Sequence, residues 1–246
     1  MSAVLSQIWH TVRVTAPATT SIRARARAEM TEQIKQTARG HLAVDGPNLS
    51  LRAVARDLGV VSSAVYRYFG SRDELLTALI IDAYDSMGAA VERAEAAVSR
   101  QDLTGRWYAT GRSIRAWSMA NRHEYALLYG SPVPGYAAPE DTIGPASRPV
   151  VVLTAILRDG VERGALVPIR GERMARAVRL DLEALGRVPE FAGVPAGVFG
   201  RGMTAWAQLF GAVSFELFGR LQNTVSDYEA YFDYQLRAMA AHIGLP

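Results

Sequence analysis

The chain contains no cysteine. Disulfide staples, thiolate nucleophiles and cysteine-held zinc are therefore excluded, and a reducing compartment is left open. Histidine is scarce: His10, His41, His123 and His242 are scattered and show no metal-ligand spacing. Lysine is nearly absent, Lys35 being the only one among 27 basic residues, which points to a GC-rich genome rather than to chemistry. No apolar run approaches the roughly 20 residues that a bilayer span needs. The longest lie near Leu75 to Ile81 and Val150 to Leu157. The first twenty residues have neither a long apolar segment nor early basic residues, so they do not read as a signal peptide, and a cytoplasmic protein is expected. Paired carboxylates, a nucleophile with its base and a phosphate-cradling glycine loop are all missing. Gly197, Gly200 and Gly202 follow no strand pattern. An enzyme is thus disfavoured, and no metal or other cofactor is expected.

What remains is ample for a globular protein. There are 246 residues, 49% hydrophobic and 21% charged. The net charge of +3 hides an asymmetry. Through Arg72 there are ten basic residues against four acids, whereas the rest holds seventeen against twenty. Only the first third is therefore suited to a polyanion.

Residues 46 to 76 organise the chain. Leu51, Val54, Ala55 and Leu58 lie at helical spacing behind a candidate N-cap, Ser50, and ahead of a turn at Gly59. A second short helix is predicted over Ser62 to Phe69, with Val65 and Phe69 inward and Ser62, Ser63, Tyr66 and Arg67 outward. Ser71 and Glu74 have the spacing of a capping box, so a longer helix is predicted from Ser71. Helix, glycine turn, helix is the plan of a helix-turn-helix. The outward face of its second helix is compact, hydroxylated and cationic, which suits insertion between two rows of phosphates. A solvated surface helix is the competing reading.

The run Leu51-Arg52-Ala53-Val54-Ala55, Gly59-Val60, then Val65-Tyr66-Arg67-Tyr68-Phe69 and Ser71-Arg72-Asp73-Glu74-Leu75-Leu76 resembles the DNA-binding signature of TetR-type transcriptional regulators. Val61 stands where that pattern usually has a capping serine, so Ser62 is a candidate cap, and Gly70 stands where proline or lysine is common. The resemblance implies an all-α protein with a three-helix DNA-binding head over residues 21–70 and a helical ligand-binding and dimerisation body over 71–246. Residues 1–20 read as an extension. A disordered tail, a short added helix and an over-long start all fit them. Carried over by position, Ser62, Ser63 and Ala64 would lie nearest the base edges of double-stranded DNA. Tyr66, Arg67, Tyr68 and Arg72 would mostly meet phosphates, and Ser50 and Arg52 would hold the opposite strand. Small hydroxyls read bases poorly, so Arg67 and DNA shape should carry much of the specificity. Arg23, Arg25 and Arg27 open the first helix, predicted over Ser21 to about Val44, and read as a basic arm toward phosphates or the minor groove.

In the body, helices are predicted from Ser71 to about Ala97, from Thr104, over Asn121 to Gly130, over Pro149 to Arg163 and over Gly171 to Leu185. In the last of these Met174, Ala177, Val178, Leu182 and Leu185 are expected inside. Pro132-Val133-Pro134-Gly135-Tyr136 after the short helix, and Trp206 through Leu209-Phe210-Gly211, Ser214 and Glu216, resemble a TetR group whose ligand domain carries a Trp-His-Gly motif, with Phe210 in place of histidine. The resemblance implies a mostly apolar cavity for an unknown small-molecule effector. Trp107, Trp117, Tyr125, Tyr129, Tyr136, Met203, Trp206 and Phe210 are its candidate lining, although large residues at helical spacing also serve as core. Residues 198–221 are nearly apolar all round, which predicts burial on every side. With residues 224–243 they are expected to form a four-helix interface in a homodimer. The expected function is a DNA-binding regulator, a repressor by resemblance, working on a palindromic operator and released by ligand. A regulator that acts without a ligand or through a protein partner is the alternative.

Overall fold

The computed structural model describes residues 22–46, 49–169, 171 and 173–246. The extension 1–20 lies outside them. The described residues form ten α-helices and no strand: α1 (Ile22–Asp45), α2 (Leu51–Asp57), α3 (Ser62–Val65), α4 (Arg72–Ala96), α5 (Leu103–Ala120), α6 (Arg122–Tyr129), α7 (Ile143–Glu162), α8 (Arg176–Leu185), α9 (Ala196–Leu217) and α10 (Tyr228–Ile243).

The caps explain where several helices start and stop. Ser50 Oγ accepts from the Ala53 N–H and opens α2. Gly59 closes it at φ +69°, with the Val60 N–H on the Ala55 carbonyl and the Gly59 N–H on that of Arg56. This paired pattern needs a left-handed residue, which glycine supplies at little cost. Asp102, not Thr104, opens the helix at Leu103, accepting from the Gly105 N–H at 2.7 Å. Asp227 does the same for α10. Each such cap contributes about 1 kcal/mol.

Two cores result. Ile34, Ala38 and Leu42 of α1 pack with Leu51, Val54, Val65, Phe69 and the first turns of α4 in the head. The body core joins the rest of α4 to α5, α7, α9 and α10. α4 belongs to both, burying Leu75, Leu76 and Leu79 in the head and Met87 and Val91 in the body. A segment of the body also enters the head: Val133 is part of the head core, Leu127 and Tyr136 pack against it, and the Tyr136 hydroxyl lies 2.9 Å from Thr77 Oγ1.

Several boundaries differ from those the sequence predicts. α3 ends at Val65, and Tyr66 to Tyr68 continue as turns rather than helix. α7 begins at Ile143, and Pro149, expected at its start, sits inside it. The missing Pro149 N–H is tolerated because Arg148 fixes this stretch to α4 through Asp85 at 2.7 Å and Glu92 at 2.7 Å. The guanidinium passes where Gly88 has no side chain; a Cβ there would lie 2.8 Å from it. α8 starts at Arg176 and has no fully buried residue. Met174 and Leu182 reach Gly200 of α9, but Ala177, Val178 and Leu185 are exposed. Its amphipathic pattern predicts a buried face, yet α9 covers only part of it. Within one chain α9 is not enclosed on all sides: Met203 and Phe215, and Phe218 just beyond its end, are exposed, on a face that the sequence reading assigns to a second subunit. The inner face of α9 even holds a charge, Arg201, which donates to the carbonyls of Ile243 and Val167 at 3.0 Å.

Candidate functional site

The head presents its polar residues outward from a packed apolar frame. Val65 and Phe69 are buried and anchor the recognition segment at both ends, while Ser63, Tyr66 and Arg67 are exposed. Ser62, Ala64 and Tyr68 are half-buried. Ser62 is not the cap. α3 is preceded by Val61, which has no capping side chain, so Ser62 is the first helical residue and its hydroxyl is left for another partner. Ser50 is exposed and spends an acceptor lone pair on its own helix, keeping its proton to donate. Arg52 is exposed beside it, and Arg72 lies 3.5 Å from Asp73.

The restart after the recognition segment is tied twice. The Glu74 N–H donates to Ser71 Oγ at 3.1 Å. The Glu74 carboxylate reaches back to the Gly70 N–H at 2.7 Å, one residue earlier than in the usual capping box. Gly70 suits this: a Cβ there would stand 3.1 Å from the same carboxylate.

The arginine arm divides. Arg23 and Arg25 are exposed on the first turn of α1. Arg27 turns toward the recognition segment: Nη2 donates to the Arg67 carbonyl at 3.2 Å and the guanidinium lies 5.0 Å from the centre of the Tyr68 ring. Nothing in helical spacing alone signals that contact, since 40 residues separate the partners. Farther along α1, Lys35 and Arg39 both meet Asp82 of α4 at 2.6 Å, and Arg39 lies 3.2 Å from Glu124 of α6. Hydrogen bonds from Arg39 and Lys35 hold the Glu32 carboxyl below its ordinary range. These two cations join head to body.

The candidate ligand residues separate into three places. Trp107, Met203 and Trp206 line an apolar cavity with Val150, Leu153, Leu157 and Phe199. Only about 20 Å³ of it is open to the centre of a water molecule, which is room for roughly one water. Tyr129 and Tyr136 instead edge two open clefts on either side of the Gly130–Val133 turn. Trp117, Tyr125 and Phe210 belong to the body core, because their polar atoms and rings are already engaged there. The Trp117 indole donates to Ser86 Oγ at 2.9 Å. The Tyr125 hydroxyl donates to the Phe210 carbonyl at 3.1 Å and lies 2.8 Å from Ser214 Oγ. Phe210 packs against Tyr129 and Trp206 with ring centres 4.4 Å from each. Burial, then the neighbouring Tyr84 and Tyr125, pushes the Tyr129 hydroxyl far above its ordinary pKa, so it stays neutral. The motif residues of α9 thus fasten it to its neighbours: Ser214 to α6, and Glu216 to Arg115 of α5 through two hydrogen bonds of 2.6 and 2.7 Å.

No helix among the described residues is long and apolar enough to cross a membrane. Residues 36–79 match the model of bacterial regulatory proteins of the tetR family, and residues 107–239 match that of the tetracyclin repressor-like C-terminal domain. The HTH-type transcriptional regulator Rv1816 of Mycobacterium tuberculosis (strain ATCC 25618 / H37Rv) is 37% identical over 219 residues, 88% of this chain and 93% of that protein. The regulator Mb1846 of Mycobacterium bovis (strain ATCC BAA-935 / AF2122/97) matches to the same extent. Among solved structures, the putative regulatory protein SCO4313 superposes with a TM-score of 0.73 at 30% identity, covering 90% of this chain and all of that one. The TetR-family regulator PfmR of Thermus thermophilus shares the fold at 22% identity, with a TM-score of 0.54 over 83% of this chain and 97% of its own. The head, the two-domain helical plan and these matches lead to one conclusion: the chain belongs to the TetR family and is a DNA-binding transcriptional regulator, not an enzyme.

Proposed function

We propose that the protein is a homodimeric repressor that binds a palindromic operator and is released when a small, mostly apolar ligand enters the body. The observation that carries the DNA side is the recognition segment, held by buried Val65 and Phe69 while Ser63, Tyr66 and Arg67 face outward. In this reading Ser62, Ser63 and Ala64 approach base edges, and Tyr66, Arg67, Tyr68 and Arg72 meet phosphates. Ser50, Arg52, Arg23 and Arg25 brace the flanking backbone. Arg67→Ala should weaken operator binding strongly and flatten its dependence on salt, because a lost phosphate contact lowers the log–log slope by about 0.9. A gel-shift titration over several salt concentrations checks this. An unchanged affinity would remove Arg67 from the site.

The ligand side is supported by the apolar cavity under Trp107, Met203 and Trp206. Its small size means that a ligand must part these side chains, and that displacement supplies the differential binding that shifts a population of states. The near-closure of the same cavity also supports the second reading, a regulator without a small-molecule effector. A thermal-shift screen distinguishes the two: a compound that both stabilises the protein and releases operator DNA supports the first.

A further inference from the structure

The recognition segment has an incomplete end. α3 makes one turn, Ser62–Val65, and the chain then runs through turns to Phe69. The last carbonyls of such a segment have no following N–H to accept from. No backbone N–H among the described residues meets the Arg67 carbonyl. Its partner is Arg27, 40 residues earlier, donating from Nη2 at 3.2 Å. The same guanidinium lies 5.0 Å from the centre of the Tyr68 ring. One planar cation therefore holds two consecutive residues of the recognition segment, by a hydrogen bond to one and a cation–π contact with the next.

We infer, resting on the DNA reading above, that Arg27 is a positioning residue for sequence recognition: it fixes the end of the recognition segment from α1, and so sets the angle at which Ser62, Ser63 and Ala64 of the same segment meet the base edges. This separates it from Arg23 and Arg25 on the preceding turn. A phosphate contact strengthens binding to any sequence alike, whereas a group that orients the reading side chains acts on the difference between operator and random DNA. The geometry also distinguishes arginine from lysine, since an ammonium keeps the charge but not the planar fork that serves carbonyl and ring together.

The test uses the full chain and an operator selected from random DNA. Affinities for operator and for unrelated duplex are measured at several salt concentrations for Arg27→Ala and Arg27→Lys, with circular dichroism to confirm folding. For both variants the ratio of operator to random-DNA affinity should fall about tenfold. The salt slope of Arg27→Lys should stay that of the wild type. In a Tyr68→Leu background the effect of Arg27→Ala should shrink, as expected for coupled neighbours. Two results would overturn the assignment. One is an unchanged ratio with a slope reduced by about 0.9, the signature of a phosphate contact. The other is full restoration of the ratio by lysine.

Discussion

The innermost charges of the body show how little a residue's type says about its place. Arg106 is 1% exposed and Asp159 3%. Their atoms meet at 2.6 Å, with Glu95 on the other edge of the guanidinium at 2.6 Å and Arg100 on the other carboxylate oxygen at 2.7 Å. The group ties α5 to α7 and to the end of α4. Burial alone would raise the Asp159 carboxyl, but the hydrogen bonds and charges of Arg106 and Arg100 outweigh it and hold the pKa below its ordinary 3.8. A depressed folded pKa contributes stability that is present above the unfolded value and lost as pH falls through the folded one. The contribution is therefore intact at neutral pH, begins to fall away at about pH 4 and is lost as pH drops through the lower folded value. Asp159→Asn leaves the buried Arg106 cation with one carboxylate partner, Glu95, in place of two, and should cost about 3 kcal/mol at pH 7. It should also make the acid limb of the stability curve shallower. Urea unfolding of both proteins between neutral and acid pH measures both effects, and equal stability at neutral pH would show the pair to be dispensable.

At the scale of the element, the long α4 is, among the described residues, the only helix that runs continuously from head to body, but other contacts connect the two as well. The Gly130–Tyr136 loop inserts Val133, 9% exposed, into the head core, and Tyr136 reaches Thr77. Val133→Ala removes two buried methyl-sized groups and should cost roughly 2 kcal/mol. Amide hydrogen exchange should rise in α1 and the first turns of α4. A rise confined to α5 and α9 would show that the loop belongs to the body alone. The sequence makes some of this legible and conceals the rest for physical reasons. Ser50, Gly59, Ser71 and Gly130 mark helix ends correctly because caps are local chemistry. Pro149 misleads because tertiary ion pairs from Arg148 hold a helix that its own backbone would break. α8 misleads differently: amphipathic spacing states that a face is apolar, not that anything covers it. In the site, the spacing points Ser63, Tyr66 and Arg67 outward as found, but not the half-burial of Ser62 or the end of the helix at Val65. Arg27 on Tyr68 and Val133 in the head do not, because both depend on where the chain returns. Trp107 and Trp117 are both core residues, the Trp107 indole donating to the Leu236 carbonyl at 3.0 Å, and only packing decides that Trp107 also borders the cavity.

At the scale of the molecule, the exposed part of α9 is the feature that a single chain leaves unexplained. Thr204, Gln208, Gly211, Phe215 and Phe218 recur at alternating steps of four and three, the spacing of a seam between paired helices. A Cβ at Gly211 would meet nothing within 4 Å, and Phe215 and Phe218 are 56% and 46% exposed. Beside them α10 offers Ala230, Tyr234, Ala238 and Ala241, all exposed and mostly small, which permits close approach of helices. The same face on a second copy would complete a four-helix contact, the arrangement proposed above for the homodimer. Its consequence for the head is geometric. One recognition segment covers only a few base pairs, so in the proposed dimer operator affinity would depend on placing two of them roughly 34–36 Å apart in successive major grooves. Phe215→Glu tests the link without endangering the fold, because a side chain already mostly exposed in the chain loses little when it becomes charged. The variant should sediment as a monomer at micromolar concentration. Its operator affinity should fall about a hundredfold or more as the second, tethered contact is lost, while its binding to short random duplexes changes little. A variant that stays dimeric would place the interface elsewhere. A monomer that kept full operator affinity would show that one head suffices.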